Sequence, residues 1–296
     1  MLQGKVVKAA GGFFTVCDDS GKEHICRARG TLKRGRESLM VGDHVLFEPA
    51  DPESADKDGD GIIEKLLPRV NRLHRPSVTN VDQLAVIMSL RHPGCDWQLV
   101  SRMLVMSEKE GMAAFLCLNK TDLTSKDELE ELSVQLDNYP YKIIYTSALT
   151  GAGLDRLKER LKDKCSVFAG PSGVGKSSLL NAVQPGLSLQ TGTVSSKIKR
   201  GRHTTRQAEL LALEIGGSVV DTPGFTRLDF SSLGAAQLAD YFPEFDLLRG
   251  QCDFRDCRHI TEPRCAVREE IGRSLNPMRY EHYKSFLEEL DKQEVY

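Results

Sequence analysis

Residues 170–178 read GPSGVGKSS, and no other stretch of the chain restricts its possible folds so tightly. The pattern G-x-x-x-x-G-K-[ST] works as a phosphate loop only where a strand ends and a helix begins. Both neighbours are present, because CSVFA (165–169) reads as a short buried strand and SSLLNAV (177–183) as a helix. Glycines let the backbone curl into a nest of N–H groups facing phosphate oxygens, and the helix dipole adds to the attraction. The candidate cradle is therefore Gly170, Pro171, Ser172, Gly173, Val174, Gly175, Lys176, Ser177 and Ser178. Lys176 is expected on the β- and γ-phosphates and Ser177 on Mg²⁺.

A phosphate loop does not say which base is bound. NKTD (119–122), after the apolar run AAFLCL, does. The Asp122 carboxylate can accept from both N1–H and the 2-amino group of guanine, whereas adenine would leave that acceptor unpaired. Asn119 is expected at the base edge, with the stem of Lys120 over the ring and Thr121 beside them. TSAL (146–149) follows the next strand and brings Ser147 and Ala148 to the same base. DTPG (221–224) places Asp221 on the Mg²⁺ shell through water, and the Gly224 amide on the γ-phosphate, as a switch. GRHTTR (201–206) offers Thr204 and Thr205 to close the shell, and the sequence does not choose between them. Phe225 stands where many such sites carry a water-orienting Gln. His203 is the best internal substitute, with an exposed loop residue or an RNA contact as its other reading.

The surrounding pattern is strand–helix alternation. LAVIMSL (84–90), AAFLCL and YKIIYTSA (141–148) are strands, and residues 97–106 and 153–164 are helices. SKDE (125–128) is a capping box opening a helix to about Asn138. Such alternation predicts a parallel, doubly wound sheet. LLALEIGGSVVD is a hairpin at its edge turning at Gly216-Gly217.

At 296 residues the chain has room for two or three domains of ~100–200 residues. Residues 1–70 hold short strands, GKVVKA, FFTVCD, EHICRA and DHVLFEP, which predict a small all-β barrel. RPSVTNVDQ (75–83) reads as a linker. Net charge is −2, so any nucleic-acid surface must be local. Residues 22–36 carry six Lys and Arg against Glu23, and residues 164–208 carry seven and no acid. Both stretches fit a phosphate backbone as well as a solvated surface. DKDGDG (56–61) imitates a calcium loop but has Leu67 where the bidentate Glu belongs, which excludes that site. No run approaches the ~18 apolar residues of a membrane span. The opening MLQGKVVKAAGG lacks the apolar block of a secretory signal, so a cytoplasmic protein is expected.

After residue 229 the pattern changes again. Cys252, Cys257, His259 and Cys265 form C-x4-C-x-H-x5-C, a closed tetrahedral donor set suited to one structural Zn²⁺. Cys17, Cys26, Cys95, Cys117 and Cys165 lie among apolar neighbours and read as core. Pro277 suits a first helical turn, with Tyr280, Tyr283, Leu287 and Leu290 on one packed face.

The motif order is NKTD, TSAL, GPSGVGKS, HTT and DTPG, with the base reader first. Together with the basic-edged barrel and the Cys/His cluster, this resembles the circularly permuted ribosome-assembly GTPase family of bacteria. The resemblance spans nearly the whole chain. It implies an OB-like barrel over 1–70, a permuted P-loop GTPase domain over 71–228, and a mostly helical zinc-binding domain over 229–296. It also implies GTP hydrolysis stimulated by the small (30S) ribosomal subunit during late maturation, contact with 16S rRNA, and a monomer. An RNA-binding module holding GTP that it never turns over is the alternative. The permuted order puts DTPG directly before the zinc region, so the nucleotide sensor is expected to feed into it.

Overall fold

Alternation along single strands builds the central sheet. In the computed structural model, which describes residues 1–30, 32, 38–50, 60–73, 77–187, 209–221, 230 and 233–294, strand β8 (Gln83–Ser89) is buried throughout. Leu84, Val86 and Met88 enter one core, and Ala85 and Ile87 the opposite one. Successive side chains of a strand point to opposite faces, so a strand buried on both faces must be apolar at every position. The first core is capped by helix α1 (Trp97–Lys109) through Val100, Met103 and Leu104. The second is capped by α3 (Leu154–Leu161) and α4 (Lys176–Val183) through Leu157, Leu161, Leu179 and Val183. Helix α2 (Lys126–Gln135) has no buried residue and lies on the α1 side, with Leu132 packed on that core. It ends three residues before the predicted limit. Its predicted capping box is present, with Ser125 Oγ accepting from the Glu128 amide at 3.2 Å and the Glu128 carboxylate accepting from the Ser125 amide at 2.9 Å.

The remaining strands are β9 (Ala113–Asn119), β10 (Ile143–Tyr145), β11 (Cys165–Ala169), β12 (Glu209–Ala212) and β13 (Ser218–Asp221). Their spatial order is β10-β9-β8-β11-β13-β12, all parallel except β12. From β8 the chain winds outward to β9 and β10, and from β11 it winds the other way. The crevice at the carboxyl ends of β8 and β11 is thus a topological switch point, where ligands bind in open α/β sheets. The predicted hairpin turns at Gly216 and Gly217, with φ of 86° and 81°. A Cβ on Gly217 would lie 2.6 Å from Lys164 N and O, so the turn sits directly on the step from α3 into β11.

Strands β1 (Leu2–Ala10), β2 (Phe13–Asp18), β3 (Glu23–Ala28), β4 (His44–Pro49) and β5 (Gly61–Leu66) pair in the order β1-β2-β3-β5-β4-β1 and close a five-stranded barrel around Val6, Val16, Cys26, Val45, Phe47 and Ile63. Closure of this kind matches the OB-fold arrangement. The hairpin β12–β13 is not a free edge, because β12 pairs with β1 at Glu209 and Lys8, whose side chains form a 2.9 Å ion pair. The expected linker is structured where it is described. Strands β6 (Arg72–Leu73) and β7 (Val78–Thr79) pair there, and Asp43, fully buried, accepts from Arg69 at 2.7 and 2.8 Å and from Thr79 Oγ1 at 2.7 Å. Cys26, Cys117 and Cys165 are buried as expected, but Cys17 and Cys95 are only half-buried.

The C-terminal region has its own core of Phe242, Phe245, Tyr283, Phe286 and Leu290, with α1 contributing Val105. Short turns, α5 (Ala266–Glu269) and α6 (Pro277–Glu294) build it. Pro277 opens α6, and the four expected residues of its packed face are all buried. No described helix is long and apolar enough to cross a membrane.

Candidate nucleotide site and metal centre

The base-reading and phosphate loops meet at the switch point. Asn119 ends β9 and is 1% exposed. Its Nδ2 donates to Val174 O of the phosphate loop at 2.9 Å, and its Oδ1 accepts from Thr146 Oγ1 and the Ala148 amide, each at 3.3 Å. One side chain therefore ties all three loops. The approach explains Gly175, where φ is 96° and a Cβ would lie 2.3 Å from Asn119 Nδ2. Lys120 adopts φ 63°, and its ammonium donates to Gly173 O at 2.6 Å and to His92 O. It clamps the phosphate loop to the loop after β8. Thr121 Oγ1 donates to Thr146 O at 3.1 Å.

Asp122 is exposed at the mouth of the crevice, and one of its carboxylate oxygens accepts from Ser147 Oγ at 2.5 Å. The other oxygen can face a base. Ser147 Oγ also accepts from the Thr150 amide at 3.1 Å, which holds the TSAL turn. Thr146 and the His92–Pro93 loop are contacts that sequence reasoning missed.

Along the cradle, Gly170, Gly173 and Gly175 have φ of 145°, 86° and 96°, and Val174 is buried. Lys176 is the first residue of α4 and donates to Gly170 O and Pro171 O at 2.7 and 2.8 Å. Burial pulls its ammonium below the usual lysine value, and an anion in the cradle would favour the charged form. Ser177 and Ser178 are part-exposed in the first turn of α4, and Pro171 is part-exposed beside exposed Ser172 and Gly173. Asp221 is the last residue of β13, placing its backbone at the same end of the sheet. His203, Thr204, Thr205 and Gly224 lie outside the described residues.

The four metal-ligand candidates converge. One donor atom from each of Cys252, Cys257, His259 and Cys265 lies within 4.8 Å of all the others. Separations of 3.6 Å for Cys252 Sγ to His259 Nδ1, 3.8 Å for Cys252 Sγ to Cys265 Sγ, and 3.3 Å for His259 Nδ1 to Cys265 Sγ fit the edges of a zinc tetrahedron with bonds of about 2.0–2.3 Å. The donor chemistry and the spacing both fit one structural zinc. Tyr280 and Tyr283 donate to the carbonyls of His259 and Arg258 at 2.7 and 2.8 Å, which fixes the cluster on α6. Glu262 accepts from the amides of Arg258, Ile260 and Thr261 at 2.7–3.0 Å. Burial raises its pKa, but these amides outweigh burial and hold it at about 2.

A phosphate loop, an NKTD motif placed before it in the chain and a barrel joined to the same sheet define the class of circularly permuted GTPases. The RsgA GTPase family model matches residues 66–231, and the RsgA N-terminal domain model matches residues 3–63. The chain belongs to the RsgA GTPase family, and it is a GTP-hydrolysing enzyme. It is 46% identical over 290 residues to the small ribosomal subunit biogenesis GTPase RsgA of Moorella thermoacetica, covering 98% of this chain and 97% of that one. The protein of the same name from Carboxydothermus hydrogenoformans is 42% identical, covering 99% of each chain. Among solved structures, YjeQ from Thermotoga maritima superposes with a TM-score of 0.84 at 38% identity, covering 98% of each chain. YloQ, described as a circularly permuted GTPase, superposes with a TM-score of 0.82 at 33% identity, covering 99% of this chain and 96% of that one.

Proposed function

We propose that this GTPase docks on the small ribosomal subunit, contacts 16S rRNA, and hydrolyses GTP under the subunit's stimulation during late maturation. The observation that carries the reading is the extent of the likeness. Relatives named for small-subunit biogenesis match over nearly the whole chain, barrel and Cys/His cluster included, rather than over the nucleotide site alone.

In this reading residues 1–70 form the RNA-binding barrel, 71–228 the GTPase domain and 229–296 the zinc domain. Asn119, Lys120, Thr121, Asp122, Ser147 and Ala148 hold guanine, and residues 170–178 hold the phosphates. Ser177 ligates Mg²⁺ directly, Asp221 acts through water, and Thr204 or Thr205 completes the shell. The Gly224 amide meets the γ-phosphate. His203 orients the attacking water in place of the absent Gln. The protein works in the cytoplasm as a monomer, and GDP releases it from the subunit.

Co-sedimentation with purified small subunits tests the docking. The chain should pellet with subunits in a non-hydrolysable GTP analogue and stay in the supernatant with GDP. Absence from the pellet under both conditions contradicts the reading. His203→Ala should lower kcat about 100-fold with KM little changed, and an unchanged kcat removes His203 from the mechanism.

A further inference from the structure

Beside the guanine reader the surface opens into a second cleft of about 240 Å³, between the loop after β8, the start of α1 and the side of α2 that carries Glu128, Glu131, Leu132 and Gln135. Its apolar walls are Leu90, Trp97 and Leu132, and Glu131 stands on its rim. Thr124 lines it too, with its Oγ1 buried and without a hydrogen-bond partner among the described residues. Arg91 and Glu128, also in the lining, neutralise each other in an ion pair. Glu131 is exposed and makes no ion pair or hydrogen bond among the described residues. Asp127 and Glu130 add further acid to the same helix.

An aromatic wall, an aliphatic floor and an unpaired carboxylate match one kind of side chain. Lys and Arg lay their apolar stems on apolar surface and present the cation to a ring face and a carboxylate. The acidic helix repels a phosphate backbone, so RNA is not the complementary occupant. We propose that this cleft receives a Lys or Arg side chain from a basic protein segment. The choice of a ribosomal protein as the source rests on the subunit reading above. Thr124 lies two residues beyond Asp122, so an occupant would touch the turn that carries the guanine reader.

Trp97 is the single tryptophan of the chain, so its fluorescence reports on the cleft directly. The full-length protein loaded with GDP is titrated with the capped peptide GRKRG and with its uncharged counterpart GQQQG. A saturable change with the basic peptide alone is expected. Glu131→Gln should weaken it about threefold to fivefold, the scale of one exposed charge pair. Gln135→Arg, one helical turn on, should weaken it similarly by pairing with Glu131. Basal GTP hydrolysis should be unchanged in both variants. No saturable change, an equal response to GQQQG, or indifference to both variants overturns the proposal. Displacement of the peptide by a uridine heptamer assigns the cleft to nucleic acid instead. The assay contains no subunit, so failure of the docking in co-sedimentation leaves its outcome intact.

Discussion

At the scale of single residues, the site depends on side chains that hold other side chains. Asp122 is the proposed base reader, and Ser147 donates to one oxygen of its carboxylate. Asp122→Asn should leave the guanine donors facing an amide and weaken GTP about 10- to 100-fold while relaxing base choice. Competition binding with GTP, ATP and XTP measures this, and an unchanged guanine preference removes Asp122 from that role. Ser147→Ala should cost less, about tenfold at most. Glu262 gives a pH-dependent counterpart at the metal centre. Its folded pKa of about 2 lies below the ordinary value of about 4.3. The stability it adds is therefore full above about pH 5 and is lost as pH falls toward 2. Glu262→Gln should release zinc to a chelator faster than the parent at neutral pH, and equal rates contradict the role. The motif letters named Asn119, Lys176 and the zinc set from sequence alone. They did not name Thr146 or His92, because those residues act by contacts between loops distant in sequence.

At the scale of elements, local patterns succeeded where one element decides its own shape. The capping box of α2, Pro277 at the start of α6 and the turn at Gly216-Gly217 are such cases. Strand β5 escaped notice because GIIEKL follows an acidic run that obscures its two-residue alternation. The apparent linker is structured by Asp43, whose four donors come from residues 40, 69 and 79. A buried carboxylate with partners from separate segments leaves no periodic signal. Docking of α6 is similar. Arg279 is 1% exposed and pairs with Glu244 at 2.7 Å, with its guanidinium 4.5 Å from the ring centroid of Phe242. Removing one partner of a buried pair strands the other, so Glu244→Gln should destabilise the C-terminal region by about 3–5 kcal/mol. Urea denaturation followed through tyrosine fluorescence measures it, and a loss under about 1 kcal/mol contradicts the packing account.

At the scale of the whole molecule, the contacts of the C-terminal region add to what the permuted order implies. Covalently, the Cys/His region follows β13 and the candidate sensor. Physically, it rests on the base-reading half. Arg102 of α1 meets Glu289 and lies over Phe230 and Phe286. Ser101 meets His282 at 2.8 Å, and Asn276 donates to the carbonyls of Gln135 and Asp137 at 2.9 and 2.8 Å. Asp221 and Phe230 therefore lie on opposite halves of the nucleotide crevice. The barrel is likewise held at two places, through Asp43 to Thr79 just before β8 and through Lys8 of β1 to Glu209 of β12. Lys8 and Glu209 are half-exposed, so Lys8→Ala should cost at most about 1 kcal/mol of stability. It should nonetheless reduce subunit-stimulated hydrolysis if that strand carries the nucleotide state to the barrel, and undiminished stimulation contradicts the coupling. In the proposed mechanism, docking on the subunit brings His203 to the attacking water, which Phe225 cannot orient. Steady-state GTP turnover with and without purified small subunits tests it most directly. Slow intrinsic turnover raised at least tenfold by subunits is expected, whereas turnover indifferent to subunits would contradict a subunit-dependent active site.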